Sequence, residues 1–272
     1  MANSIKANPV VDKSLLRIGN TILCNYGMTS NPDLHNGRMG VCLFLYEYAR
    51  YTEIKEYEDF ADEMINPILE ALHKGQSEEN IRIMAGIGIG VIYLITRGFL
   101  EDTEDCDALA EVDNLLLEIL ASSDVPSDIL TYASLYFIYR FMNYRVNLDE
   151  ARCMALAEKI VKLYQEEPDM ECESSTIKYI LRNAEYIIGF LGKNGMVTHD
   201  GESILYEDND VTVPEGNVLE SLWNNYLFGS GKGLFKEQEL DVSDLSRNCF
   251  YDPDRNVGML CVIGLNLMAR NR

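Results

Sequence analysis

Basic residues are scarce in this chain. Its 23 Lys and Arg stand against 44 Asp and Glu, a formal net charge of −21 at pH 7 with a pI near 4.4. Gripping a phosphate backbone takes a basic stripe, so the composition argues against nucleic acid as a partner. It argues equally against an anionic membrane surface. No uninterrupted apolar run reaches the roughly 18 residues of a membrane-spanning helix. The first residues, Met1-Ala2-Asn3-Ser4-Ile5-Lys6, lack the apolar centre of a secretory signal. The cysteines number seven, an odd count, and no two lie within four residues of each other. That pattern speaks against a disulfide framework and predicts buried thiols in a reducing compartment. The expected location is the cytoplasm.

What is present is ordinary for a folded protein: 47% apolar and 25% charged residues. Apolar positions recur with a helical period through most of the chain. Residues 10–26, 55–73 and 105–121 carry a single apolar stripe, whereas 38–51 and 87–100 are apolar on every side. A one-stripe helix lies at the surface and an all-round apolar helix is buried. The order surface, buried, surface, buried, surface predicts helical hairpins with inner and outer members. Further helices are expected at 127–143, 148–166, 173–192, 215–228 and 256–270, about ten in all. The acids are concentrated: residues 101–150 hold twelve against two bases. The run from Glu101 to Asp107 lacks the glycine and closing glutamate of a calcium loop and reads as a solvated helix start. One stretch departs from the helical period. Asp200-Gly201 between Val197-Thr198 and Ile204-Leu205 predicts a small β-hairpin near 196–205.

Glycines lead the apolar segments. Asn36-Gly37-Arg38-Met39-Gly40-Val41 opens one, and Ala85-Gly86-Ile87-Gly88-Ile89-Gly90-Val91 opens the next, with Gly40-Val41 and Gly90-Val91 fifty residues apart. Gly258-Met259-Leu260-Cys261 is a weaker copy. Self-similarity at this spacing indicates a repeated helix pair, and glycine there lets backbones approach closely. Gly37, Gly40, Gly86, Gly88, Gly90 and Gly258 are therefore expected to be structural. Gly229-Ser230-Gly231-Lys232-Gly233 lacks the spacing of a phosphate-binding loop.

Leu34-His35-Asn36-Gly37-Arg38-Met39-Gly40 leading into Phe44-Leu45-Tyr46-Glu47-Tyr48-Ala49-Arg50-Tyr51, together with Ala85–Gly90 leading into Tyr93-Leu94-Ile95, resembles the LanC-like (lanthionine synthetase C-like) family. The resemblance is best over residues 10–120. It implies an all-α fold, an α/α toroid of helical hairpins, here incomplete at about five hairpins and formed by one domain over residues 1–272. In the family the glycine-rich ends meet at one mouth around a zinc ion. Its zinc enzymes join a peptide cysteine to a dehydrated serine or threonine in lantibiotic precursors. The family's zinc ligands are a cysteine after a Gly-Trp pair and an adjacent Cys-His pair. This chain contains no Cys-His dipeptide, and its one tryptophan, Trp223, is followed by Asn224. The histidines, His35, His73 and His199, are far apart and none pairs with a nearby cysteine. No metal ligand carries over, so neither a metal nor another cofactor is expected. The implied function is a peptide-binding or accessory role in modified-peptide biosynthesis, with a precursor peptide or a peptide-modifying enzyme as partner.

The candidate binding group at the mouth is Asp33, His35, Asn36 and Arg38, with Glu47 on the helix that follows. A histidine titrates near neutrality and suits binding or proton transfer, while Asp33 or Asn36 could instead simply cap the helix. A carbohydrate-cleaving toroid is the rival reading. It needs two facing acids about 5–10 Å apart, for which Glu47 and Glu185 are the candidates. A scaffold without a cleft is the third.

Overall fold

A computed structural model describes residues 9–71, 78–101, 108–122, 126–166, 175–192, 218–228 and 253–270. Among these residues the fold is all-α: ten α-helices, one 3-10 turn and no strand. The expected hairpin near 196–205 and most of the acidic run at 101–107 lie outside the described residues. The helices fall into two compact units, residues 1–71 with 208–272 and residues 72–207.

The first unit contains α1 (Pro9–Asn25), α2 (Arg38–Thr52), α3 (Lys55–Glu70), α9 (Val218–Phe228) and α10 (Pro253–Arg270). Helix α2 is its centre. Every residue from Met39 to Ala49 is buried, as its all-round apolar sequence requires. It packs against α3 on one side and α10 on another, while α1 rests on α10 and α2. Helix α3 shows the opposite pattern. Ala61, Met64, Ile65 and Ile68 face inward, and Glu56, Asp59, Glu63 and Glu70 are exposed. The two helices are joined by a tight turn in which Glu53 adopts a left-handed conformation at φ 60°. Phe44 and Tyr48 stack at 5.3 Å along α2, and Tyr48 meets Tyr57 of α3 at 4.8 Å. Across this hairpin the Tyr46 hydroxyl donates to Asp62 Oδ1 at 2.6 Å.

The second unit contains α4 (Glu78–Thr96), α5 (Ala108–Ala121), α6 (Ser127–Asn143), α7 (Glu150–Glu166) and α8 (Ser175–Gly192). Helices α4 and α6 pack on each other and are buried throughout Met84–Leu94 and Ala133–Phe141. Helix α5 buries only the stripe Leu109, Val112, Leu116, Leu117 and Leu120, and α7 only Cys153, Leu156, Ala157, Ile160 and Tyr164. The expected alternation of buried and one-stripe helices is thus found in both units. An inner-to-outer hydroxyl bond recurs too: Tyr136 of α6 donates to Asp113 Oδ1 of α5 at 2.6 Å.

Helix α4 corrects one expectation. Gly86, Gly88 and Gly90 do not open a helix; they lie in the middle of one that begins at Glu78. The polar first turns, Glu78-Glu79-Asn80-Ile81-Arg82, continue the same helix N-terminally. At Gly88 a Cβ would stand 2.5 Å from the Tyr136 ring and 2.8 Å from Val112, so close packing accounts for this glycine without any turn. Helix α4 ends on Gly98 at φ 71°, where Gly98 N–H bonds Ile95 O and Phe99 N–H bonds Leu94 O, both at 2.9 Å. This double bond closes the last turn on a residue free to adopt the left-handed conformation. No described helix is long and apolar enough to cross a membrane. Of the described cysteines, none is in a disulfide; Cys42, Cys153 and Cys261 are buried and Cys24 is exposed.

Candidate functional site

The loop between α1 and α2 folds back on itself. A 3-10 turn, Tyr26–Met28, closes with Thr29 N–H on Tyr26 O at 3.2 Å. Asp33 N–H then bonds the Asn31 side chain at 3.0 Å, Arg38 N–H bonds Asn31 O at 2.8 Å, and Arg38 Nε donates to Thr29 O at 2.8 Å. The N-cap of α2 is Gly37 in an extended conformation, without a side-chain bond. Neither Asp33 nor Asn36 caps the helix. Asp33 Oδ1 accepts the neighbouring Leu34 N–H at 2.8 Å, and Asn36 Oδ1 accepts Gly258 N–H at 3.2 Å. The doubled-back backbone supplies the first helical N–H with a main-chain acceptor, which frees both side chains for other bonds.

Two distant helices fix the loop. Trp223 of α9, fully buried, donates its indole N–H to His35 O at 2.9 Å. Gly258 of α10 lies against His35 and Asn36, where a Cβ would collide with the His35 carbonyl oxygen. Gly40 faces the Leu34 carbonyl, and a Cβ there would stand 2.9 Å from the Trp223 ring. A Cβ at Gly37 would lie 2.5 Å from the carbonyl oxygens of both Asn31 and Asp33. Gly37, Gly40 and Gly258 therefore meet at this one loop, whereas Gly86, Gly88 and Gly90 belong to the other unit. No sequence motif marks Trp223, since no cysteine follows it. Its contact partner lies 188 residues away, a separation that no local motif registers.

Inside the loop His35 and Asp33 form a buried pair. Nδ1 of His35 lies 3.7 Å from Asp33 Oδ1, with the two side chains 9% and 5% exposed. That separation is beyond hydrogen-bond reach. Among the described residues His35 Nδ1 has no hydrogen-bond partner, and neither has the buried Thr29 hydroxyl. A buried polar atom left in this way is uncommon and unfavourable. The unpartnered imidazole nitrogen can meet a hydrogen-bonding group brought by a ligand. Asn36 and Arg38 are half-buried. Glu47 does not join this group: it lies within α2, 1% exposed, about 13 Å along the helix from Arg38. Glu185 is exposed on α8, so it lines no buried acid pair.

A second polar centre, which the sequence patterns did not single out, lies in the other unit. Arg140 of α6 is buried and grips Asp113 of α5, with Nη2 to Oδ2 at 3.0 Å and Nε to both oxygens at 3.2 and 3.3 Å. It also donates to the carbonyls of Tyr144 and Val146 in the turn before α7. With Tyr136 on Oδ1, Asp113 is fully engaged. The Tyr136 hydroxyl is held well above the usual phenol range, first by burial and then by the Asp113 carboxylate.

The described residues do not fit a zinc ion. No three His, Cys, Asp or Glu side chains among them converge as a metal site. Burial pushes the Cys42 thiol far up and the Cys153 thiol up to about 11, which disfavours the thiolate that zinc requires. His73, His199, Cys106, Cys172 and Cys249 lie outside the described residues.

No curated protein and no solved structure matches the chain. A family model described as lanthionine synthetase C-like protein matches residues 29–185, from the His35 loop through most of α8. That span is more than half of the chain, which therefore belongs to the lanthionine synthetase C-like family.

Proposed function

We propose that this protein is a peptide-binding, accessory member of its family, acting in lantibiotic-type peptide modification without zinc chemistry. In this reading residues 1–272 form one domain, an incomplete α/α toroid, and work in the cytoplasm. The partner is a precursor peptide or the enzyme that modifies it. The observation that carries the reading is the loop Asp33–Arg38, preformed by bonds from two distant helices around a buried His35–Asp33 pair. A preformed polar loop binds without an ordering penalty. Family membership supplies the peptide, and the missing Cys-His pair supplies the accessory role. The net charge of −21 favours a basic peptide over an acidic one.

Trp223 is the chain's one tryptophan, and it is bonded to His35 O, so its emission reports on this loop. Titration with a synthetic lysine-rich peptide containing cysteine and serine is expected to shift that emission saturably. An acidic peptide of the same length should not. Equal responses to both peptides, or none to the basic one, would overturn the reading. Metal analysis of the purified protein tests the other half: one tightly bound zinc per chain rules out the accessory role.

A further inference from the structure

A cavity of about 220 Å³ opens between α5, the turn after α6 and the first turn of α7. We propose that it binds a small monocarboxylate, with Arg152 as the anchoring cation. Its charged lining consists of Asp113, Arg140, Asp149 and Arg152, a formal sum of zero. Three of these are committed elsewhere. Asp113 accepts from Tyr136 and Arg140. Asp149 Oδ1 accepts Arg152 N–H at 2.7 Å and so caps α7. Arg140 spends four of its five N–H groups on Asp113, Tyr144 O and Val146 O. One Nη1 hydrogen remains.

The Arg152 guanidinium is exposed and makes no hydrogen bond or ion pair among the described residues. The amides of Asn114 and Asn147 complete the polar lining, and Asn147 is held in the left-handed region at φ 62°. Among the described residues, the uncommitted groups of this lining are the two amides, one Arg140 Nη1 hydrogen, the Arg152 guanidinium and the second Asp149 oxygen, so donors outnumber acceptors and one group is a cation. A planar carboxylate pairs with a guanidinium through two parallel bonds. A dianion would instead face two fixed carboxylates, Asp113 and Asp149. Size gives a second limit. The volume holds about seven waters at roughly 30 Å³ each and falls below the roughly 300 Å³ of drug-sized sites. Leu117 and Leu148 add an apolar wall. A carboxylate bearing one aminoacyl-sized group meets these limits, whether as a free small acid or as the C-terminus of a peptide.

The test uses the ¹⁵N-labelled full chain and N-acetylglycine, with N-acetylglycinamide and sulfate as controls. N-acetylglycine is expected to shift the Asn147 and Arg152 amide signals saturably, and R152Q to weaken this binding about tenfold or more. Because Arg152 is exposed, the variant's other signals should stay in place. No saturable shift, equal shifts from the neutral amide, unchanged affinity in R152Q, or tighter binding of sulfate would each overturn the proposal. A trialanine with a free C-terminus that binds more tightly than N-acetylglycine supports it with a peptide end as ligand. Equal affinity supports it with a free acid. The cavity and the His35 loop are read by different signals, so either proposal can fail without the other.

Discussion

Gly258 shows what a single missing methyl does here. Its N–H bonds Asn36 Oδ1 at 3.2 Å, and the space that a side chain would fill holds the His35 carbonyl oxygen. Backbone cannot rotate aside as a flexible side chain can, so Gly258→Ala must push α10 off the loop. A loss of about 1–3 kcal/mol is expected, the usual range for overpacking a close contact. Urea unfolding checks it, and a midpoint equal to that of the parent chain would show the contact to be slack. This glycine was legible in the sequence as a close-approach position, because it repeats the pattern of Gly40. The jobs of its neighbours were not. Asn36 sits just before a helix and locally resembles a cap, but its partner is 222 residues away. Trp223 likewise lies 188 residues from His35 in sequence. Local patterns register capping and periodicity; they are silent on which distant backbone a side chain will meet.

At the scale of elements, hydropathy periodicity located the helices well, since burial on every side and burial on one stripe leave different sequences. It failed at the start of α4, where polar residues continue the helix beyond its apolar part. Neither did it show how hairpins are pinned. In each unit an inner tyrosine donates to an outer aspartate at 2.6 Å, a contact between single residues on different helices. The two bonds differ in setting. Asp62 is exposed, so water replaces the Tyr46 bond readily. The Asp113 side chain is only 15% exposed and is also held by the buried Arg140. Tyr136→Phe should therefore cost about 1.5–3 kcal/mol, the range for a bond to a charged group, and Tyr46→Phe about 0.5–1.5 kcal/mol. Thermal unfolding of the two variants side by side measures the difference. Equal losses would mean that Arg140 adds nothing to the second bond.

For the whole molecule, the acidity predicts a weakness at high pH. Cys42 and Cys153 are buried thiols, and burial raises both; Cys153 moves from 9.0 to about 11. Burial raises the Tyr136 and Tyr179 hydroxyls as well. Each of these groups is neutral when protonated, and the folded chain keeps the proton to a higher pH than the unfolded chain does. The unfolded state therefore ionises first. The stability linked to Cys153 is complete below about pH 9 and is lost as pH rises to about 11. Every ionisation also adds negative charge to a chain already at −21, so self-repulsion acts in the same direction. Salt separates the two contributions, because it screens surface repulsion while leaving a buried thiol's desolvation nearly untouched. The urea midpoint should fall steeply between about pH 9 and 11. Added sodium chloride should recover part of the fall, and Cys153→Ala should flatten part of what remains. Comparing slopes rather than midpoints removes the constant cost of the small void that the alanine leaves. A slope that salt abolishes completely would assign the whole effect to surface charge and none to the buried thiols.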